Sequence, residues 1–280
     1  MQINNNLSAL YVSRQMGKTH RMLGKSIEKL TTGLRINRPG DDATGLAVSE
    51  KMRTQVRGLK QAERNAQTGI SFIQVAEGNM EQVNSILQRV RELSVQAANG
   101  IYSTADRIQI QVEVSQLVDE VNRLSTQASF NKYKLLNGDL ARGSAKASVF
   151  FHVGPNQNQR IRAYISTMNA RAFGIDENNK SISSVGNANK MIGTIDSAID
   201  KLNRQRAELG AFYNRMDIAV DSLRTSYENM TAAEASIRDA NIAEELVEFT
   251  KNQILLQSST AMMAQANLSS SIVLQLMEKI

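Results

Sequence analysis

Between Ile192 and Met230 apolar side chains recur in steps that alternate three and four: Ile192, Ile195, Ile199, Leu202, Leu209, Tyr213, Met216, Val220, Leu223, Tyr227 and Met230. Arg206 is the one break in that stripe. An ordinary straight helix drifts off a strict seven-residue repeat by about 20° per heptad. A 3.5-residue apolar period held this long therefore specifies helices packed at a shallow angle, as in coiled coils and bundles. The same alternation runs through Ala76, Met80, Val83, Leu87, Val90, Ser94 and Ala97, and again through Ile110, Val114, Leu117, Val121, Leu124 and Ala128. The chain carries 2 prolines in 280 residues, so little interrupts such helices.

The breaks between these stripes divide the chain. Leu23, Ile27, Leu30 and Leu34 mark a first helix that ends before Asn37-Arg38-Pro39-Gly40, where Pro39 disfavours helix at Arg38. Asp41 or Asp42 caps the next helix. That helix continues through Val48, Met52, Val56 and Leu59 to Ala98, and Asn99-Gly100 signals a turn. Ser103 or Thr104 opens a third helix, predicted to stop before Asn137-Gly138. Residues 147–153 are β-branched and aromatic, 154–159 are turn-rich, and 160–165 alternate polar with apolar. This pattern predicts a β-hairpin, which must lie against the helices because a lone hairpin is marginal in water. Ser181 to Asn189 reads as a loop. The last segment, 237–280, is amphipathic through Ile242, Leu246, Phe249, Met262, Ala266, Val273, Leu276 and Ile280. The expected fold is mainly α, a long antiparallel helical coiled-coil bundle with a small β-hairpin insertion and its two terminal helices paired.

Composition argues against chemistry. There is no Cys and no Trp, so thiolate zinc sites, iron–sulfur clusters, disulfides and a Cys nucleophile are excluded. His20 and His152 lie far apart, and His152 has no evident catalytic partner. Asp41-Asp42 and Glu244-Glu245 are adjacent pairs that point different ways on a helix, which suits caps and solvated faces. No phosphate-binding glycine loop occurs, and Met262-Met263 reads as packing rather than a soft-metal patch. No apolar run is long enough to span a membrane, and the amino end lacks the pattern of a cleaved signal peptide. Residues 1–40 hold seven bases against the single acid Glu28, and residues 237–280 hold three bases against five acids. Such asymmetry suits either nucleic-acid binding or two halves of one helical pair. Tyr11 is the one aromatic among the bases, which read as spread around their helix, so the pairing is preferred.

Several separate motifs then resemble those of bacterial flagellins. They are Ile3-Asn4-Asn5-Asn6-Leu7-Ser8-Ala9, the run Ile27 to Asn37, Asp41-Asp42-Ala43-Thr44-Gly45-Leu46-Ala47, Gln88 to Gln96 and Phe130 to Leu136. Towards the carboxyl end come Ile237 to Glu245 and Ala264-Gln265-Ala266-Asn267. The short middle, with Phe151-His152-Val153-Gly154-Pro155-Asn156-Gln157-Asn158-Gln159-Arg160, is similar to the core (class B) flagellins of spirochaetes, whose filaments turn in the periplasm. The resemblance implies a structural subunit that polymerises into a helical flagellar filament for motility, without enzymatic activity, cofactor or metal. It implies an amino-terminal inner-tube helix at 1–43, rod helices at 44–138, a hairpin and loops at 139–185 in place of outer domains, a rod helix at 186–234 and a carboxyl inner-tube helix at 235–280.

Inner-tube packing between subunits would then fall to Leu23, Ile27, Leu30, Leu34, Ile242, Leu246, Phe249, Val273, Leu276 and Ile280. Arg89, Leu93 and Glu113 would serve rod packing and form the patch read by the innate flagellin receptor on the free monomer. The turn residues His152, Gly154, Pro155, Asn156, Gln157, Asn158 and Gln159 would face sheath proteins. Implied partners are copies of the same chain, other core flagellin isoforms, sheath, junction and cap proteins and an export chaperone, with no nucleic acid and no membrane insertion. Export would proceed through the flagellar apparatus without a cleaved signal. A hook–filament junction protein, another exported coiled-coil scaffold and a secreted translocator are the competing readings. Gln88 to Gln96 favours flagellin over the first, and the missing apolar hairpin disfavours the last.

Overall fold

The computed structural model describes residues 6–142, 149–176 and 181–278. Among these the helices are α1 (Leu7–Thr32), α2 (Ala43–Ala98), α3 (Thr104–Gln127), α4 (Ala170–Phe173), α5 (Val185–Arg238) and α6 (Ile242–Glu278). The strands are β1 (Ser129–Phe130), β2 (Tyr133–Lys134), β3 (Val149–His152) and β4 (Arg160–Ala163). The chain forms two compact units, one from Met1–Gln55 with Asn229–Ile280, the other from Val56–Glu228.

In the second unit the heptad stripes meet as expected. Ala76, Met80, Val83, Leu87, Val90, Ser94 and Ala97 of α2 are all buried, together with Val114, Val121 and Leu124 of α3 and Ile195, Leu202, Leu209 and Met216 of α5. Ion pairs across the seams set the directions. Arg91–Asp196, Arg206–Glu77 and Arg224–Glu63 step oppositely along α2 and α5, so the two run antiparallel. Arg107, donating to the Ala97 carbonyl, and Arg89–Glu113 do the same for α2 and α3. The break at Arg206 is thereby explained: its guanidinium meets the Glu77 carboxylate at 2.7 Å, half-buried beside the seam.

Helix boundaries follow local chemistry. Asp42, rather than Asp41, caps α2, accepting from the Gly45 N–H at 2.8 Å. Ser103 caps α3 in a capping box, its hydroxyl accepting from the Asp106 N–H while the Asp106 carboxylate accepts from the Ser103 N–H. Two expectations are corrected. The third helix stops at Gln127, ten residues before Asn137, because Phe130 turns inward to pack edge-on against Phe72 at 5.6 Å. β1 and β2 then form a two-residue hairpin turn with Asn131 at φ 46° and Lys132 at φ 70°, which carries Leu135 and Leu136 into the core. The loop at 181–189 is shorter than expected, since α5 begins at Val185, with the Ser184 hydroxyl accepting from the Asn187 N–H.

The expected hairpin is present as β3 paired antiparallel with β4, Phe150 opposite Arg162 and His152 opposite Arg160. Its ends at residues 147 and 148 lie outside the described residues. It does lie against the helices: Phe151 packs on Phe72 at 5.5 Å and stands over Gly69 of α2, where a Cβ would come within 3.0 Å of the Phe151 ring.

Candidate functional site

The first unit holds the most informative surface. α1 and α6 lie antiparallel, because the Asn6 side-chain amide donates to the Ala266 carbonyl at 3.0 Å near one end and Lys29 meets Glu245 at 3.1 Å near the other. Beyond Lys29 the chain is stitched further. Gly33 ends α1 in the left-handed region at φ 71°, which a glycine enters freely. Its carbonyl accepts from the Ala240 N–H, the Arg35 N–H donates to the Arg238 carbonyl at 2.7 Å, and the Arg35 side chain donates to the Ile237 carbonyl. Arg238 in turn donates to Glu50 at 2.7 Å, holding that carboxyl below the usual range. Asp41 is likewise lowered, first by the Lys25 ammonium that donates to it.

The pair buries apolar residues, Val12, Met16, Leu23, Leu30, Phe249, Leu256 and Met263, only in part. Its buried positions include Thr19 and Ser26 of α1 and Asn252 of α6, small or polar residues. Other apolar side chains of α6 point outward: Val247 and Ile254 are each 64% exposed, Leu246 is 47% exposed and Leu268 55%, whereas Phe249, Leu256 and Met263 are half-buried. Of the residues expected to pack between subunits, Leu23, Leu30, Leu34 and Phe249 are half-buried, and Ile27, Ile242 and Leu246 are exposed. The side chains of Val273 and Leu276, and all of Ile280, lie outside the described residues.

The amino-helix charges also differ from expectation. Arg14, Lys18, Arg21, Lys25 and Lys29 are not spread around α1. On a continuous helix their steps of four and three place them within an arc of about 80°. Arg14, Lys18, Arg21 and Lys25 are exposed, about a third of a turn around the helix from buried Thr19 and Ser26. Among the described residues, Lys29, at the edge of the stripe, is the base of the stripe that meets an acid of α6. Acidic α6 therefore neutralises one charge of the stripe rather than the whole of it.

In the second unit, Arg89 Nε and Nη2 donate to Glu113 at 3.0 and 2.9 Å, and Arg89 also reaches Glu92. Both carboxylates raise the Arg89 pKa, Glu113 foremost. The pair is half-exposed. Leu93, one turn along, is 3% exposed and belongs to the buried core rather than to the surface beside Arg89. The hairpin turn is divided in the same way. His152, Asn156, Gln157, Asn158 and Gln159 are exposed, while Gly154 is buried and Pro155 is half-buried against Gly58 of α2. The Asn65 side chain donates to the His152 carbonyl at 3.2 Å, which ties the turn to α2.

Among the described residues no three His, Asp or Glu side chains gather to hold a metal ion, and no helix is long and apolar enough to cross a membrane.

Family models of the bacterial flagellin N-terminal helical region and C-terminal helical region match residues 3–141 and 192–277. The chain is 55% identical to flagellin FlaB2 of Treponema pallidum, over 99% of this chain and 100% of that one. It is 53% identical, over the same shares, to the flagellar filament 33 kDa core protein of Treponema phagedenis. A solved flagellar hook-associated protein from Vibrio parahaemolyticus superposes with a TM-score of 0.58 at 13% identity, covering 71% of this chain and 100% of that one, a likeness of fold alone.

Proposed function

The chain belongs to the bacterial flagellin family, and we propose that it serves as the core subunit of a spirochaete periplasmic flagellar filament. It is a mainly helical filament flagellin of the motility apparatus. The fold likeness to a hook-associated protein does not favour a junction role, because half or more of the residues are shared with filament proteins along the full length and few with that structure.

The observation that supports assembly is the apolar face that the terminal pair leaves exposed. Two helices that half-bury Leu23, Phe249 and Leu256 and still expose Leu246, Val247, Ile254 and Leu268 leave apolar area in water. Contiguous apolar surface of this kind marks a protein interface, and further copies of the same pair are its occupant in this reading. An interface of two different patches, repeated without closing, gives an open helical polymer. Residues 1–43 and 235–280 then form the inner layer of the filament. The heptad helices at 44–138 and 186–234 form the surrounding layer, with 139–185 at its face. The role is structural rather than enzymatic. Other core flagellin isoforms, junction and cap proteins, an export chaperone and sheath proteins are its further proposed partners, and Arg89 with Glu113 is the proposed contact of an innate receptor with the free chain.

Seeded assembly tests the reading. Purified chain at a fixed concentration is mixed with sheared filament, and polymer is followed by sedimentation. The full chain elongates the seeds. A chain lacking the residues from Leu246 onward stays in the supernatant while keeping the helical circular dichroism of its second unit. Elongation by the truncated chain would overturn the role given to α6.

A further inference from the structure

We propose that Asn99 is a self-modifying site: in the folded chain the Gly100 nitrogen displaces the Asn99 side-chain amide, which leaves a carboxylate in the turn between α2 and α3. Asn-Gly occurs twice in the sequence, at Asn99-Gly100 and at Asn137-Gly138. In such a pair the nitrogen that follows the asparagine belongs to a residue without a Cβ, so nothing on its own residue shields it from the side-chain carbonyl. The two pairs are alike in local chemistry. The folded structure makes them unequal.

Asn99 and Gly100 stand between the two helices and both are exposed. Ile101 beside them is 88% exposed, so water reaches the turn freely. The Ile101 N–H donates to Asn99 Oδ1 at 3.2 Å. That bond holds the side-chain carbonyl over the Gly100 peptide and sets a donor on the oxygen where negative charge collects during attack. Arg107, 8% exposed, donates from Nη2 to the Asn99 main-chain carbonyl at 3.1 Å and from Nε to the Ala97 carbonyl at 2.8 Å. A cation on the Asn99 carbonyl draws charge out of the Asn99–Gly100 amide and favours loss of the Gly100 proton. Among the described residues the Gly100 N–H makes no hydrogen bond, so solvent base can take that proton. Asn137-Gly138 lacks these aids. Among the described residues no donor reaches Asn137 Oδ1 or its main-chain carbonyl. The Leu136 carbonyl is held by the Met168 N–H at 2.9 Å and the Ser125 hydroxyl at 3.1 Å, and the Gly138 carbonyl by the Ala141 N–H at 3.2 Å. The Thr167 hydroxyl covers Gly138, standing where a Cβ would be.

The step balances with water and hydroxide alone. Hydroxide takes the Gly100 proton, the nitrogen attacks Asn99 Cγ, and an N–Cγ bond forms. The Cγ–Nδ2 bond then breaks, and the side-chain nitrogen takes a proton from water and leaves as ammonia. The cyclic imide that remains adds water at one of its two carbonyls and opens to aspartate or to its β-linked isomer. Nothing is oxidised or reduced. Each modified copy gains one negative charge just ahead of α3, where the helix N-terminus and the Arg107 guanidinium favour an anion. The β-linked isomer also lengthens the main chain by a methylene within the turn that Arg107 grips at Ala97 and Asn99. The link between α2 and α3 therefore changes in charge and in length with age, without an enzyme.

Filament assembly plays no part in the test, which uses the free full-length chain, dilute and unseeded. The chain is held at mildly alkaline pH, folded and in parallel in urea, and then digested. Peptides holding Asn99 and Asn137 are followed by mass spectrometry, with the two aspartyl isomers separated by chromatography. The ratio of the folded rate to the rate in urea is at least about tenfold higher for Asn99 than for Asn137. The folded protein gains a more acidic band on isoelectric focusing at the same pace. Gly100→Ala supplies the control, because a Cβ at Gly100 meets nothing within 4 Å and the thermal midpoint is kept. The added carbon shields the nitrogen and slows loss of the Asn99 amide by about tenfold or more. Equal ratios at the two sites, an Asn99 that stays intact when folded yet reacts in urea, or the wild-type rate in Gly100→Ala would each overturn the proposal.

Discussion

Truncating Ile254 to alanine separates folding from assembly. The side chain is 64% exposed on the outward face of α6. Removing its three outer carbons deletes about 2.4 kcal/mol of transferable apolar free energy when the site is fully buried, at about 0.8 kcal/mol per carbon. Roughly a third of that is already realised in the single chain, and alanine returns a few tenths of a kcal/mol through its better helix propensity. The isolated chain should therefore lose about 0.5 kcal/mol or less. The remaining share, about 1.5 kcal/mol, is realised only when a neighbouring copy covers the residue. At about 1.4 kcal/mol per decade, the critical concentration for elongation should rise about tenfold. The assay is sedimentation of seeded polymer across a concentration series, with circular dichroism of the free chain alongside. Unchanged critical concentration would refute the claim that this face is covered in the filament. A fall in thermal midpoint as large as that of a core truncation would refute the claim that it is free in the single chain.

Other outcomes follow from the same structure. Leu202, fully buried on the α5 seam, should cost about 2–5 kcal/mol when changed to alanine, read as a lower midpoint of the helical transition, and a change below about 1 kcal/mol would show a seam that repacks freely. A Cβ on Gly58 would stand 2.9 and 3.2 Å from Pro155 Cβ and Cα, so Gly58→Ala should displace the hairpin turn and speed tryptic cleavage at Arg160 severalfold, and wild-type cleavage would contradict the docking of that turn. Asp42 and Asp106 are held below their ordinary 3.8, Asp42 first by the Gly45 N–H and Asp106 first by the Ser103 hydroxyl. A depressed folded pKa means their contribution is in place above about pH 4 and is lost as pH falls through the folded values. The urea midpoint should therefore drop below pH 4, less steeply in Asp106→Asn, and identical slopes for the two chains would remove the capping box from the account.

The helical seams are legible in the amino-acid order because a periodic stripe is a local signal repeated many times. Met80, Leu87, Leu202 and Leu209 are buried where the period places them. The end of α3 is not legible, since the departure at Ala128 depends on Phe130 finding Phe72, more than fifty residues away. The left-handed Lys132 has no local signal either, because lysine seldom adopts that backbone. Asn131 beside it tolerates the conformation and is the one hint of a turn. The start of α5 was open to reading from Ser184, a good cap that the loop-like composition around it obscures. The alignment of Arg14, Lys18, Arg21 and Lys25 follows from their spacing alone, once the segment is known to be one uninterrupted helix. What periodicity does not carry is direction. The stripes of α1 and α6 look like core stripes, and only the packed pair reveals that Leu23, Leu30 and Phe249 are half-buried beside Thr19, Ser26 and Asn252 while Ile254 and Leu268 face out.

A density map of the assembled filament at side-chain resolution tests that central claim most directly, through the accessibility of Leu246, Ile254 and Leu268. The account predicts all three covered by apolar atoms of a neighbouring copy, with Thr19 and Asn252 still buried within one chain. Those three side chains standing in water in the polymer, or facing inward to α1 of their own chain, would contradict it.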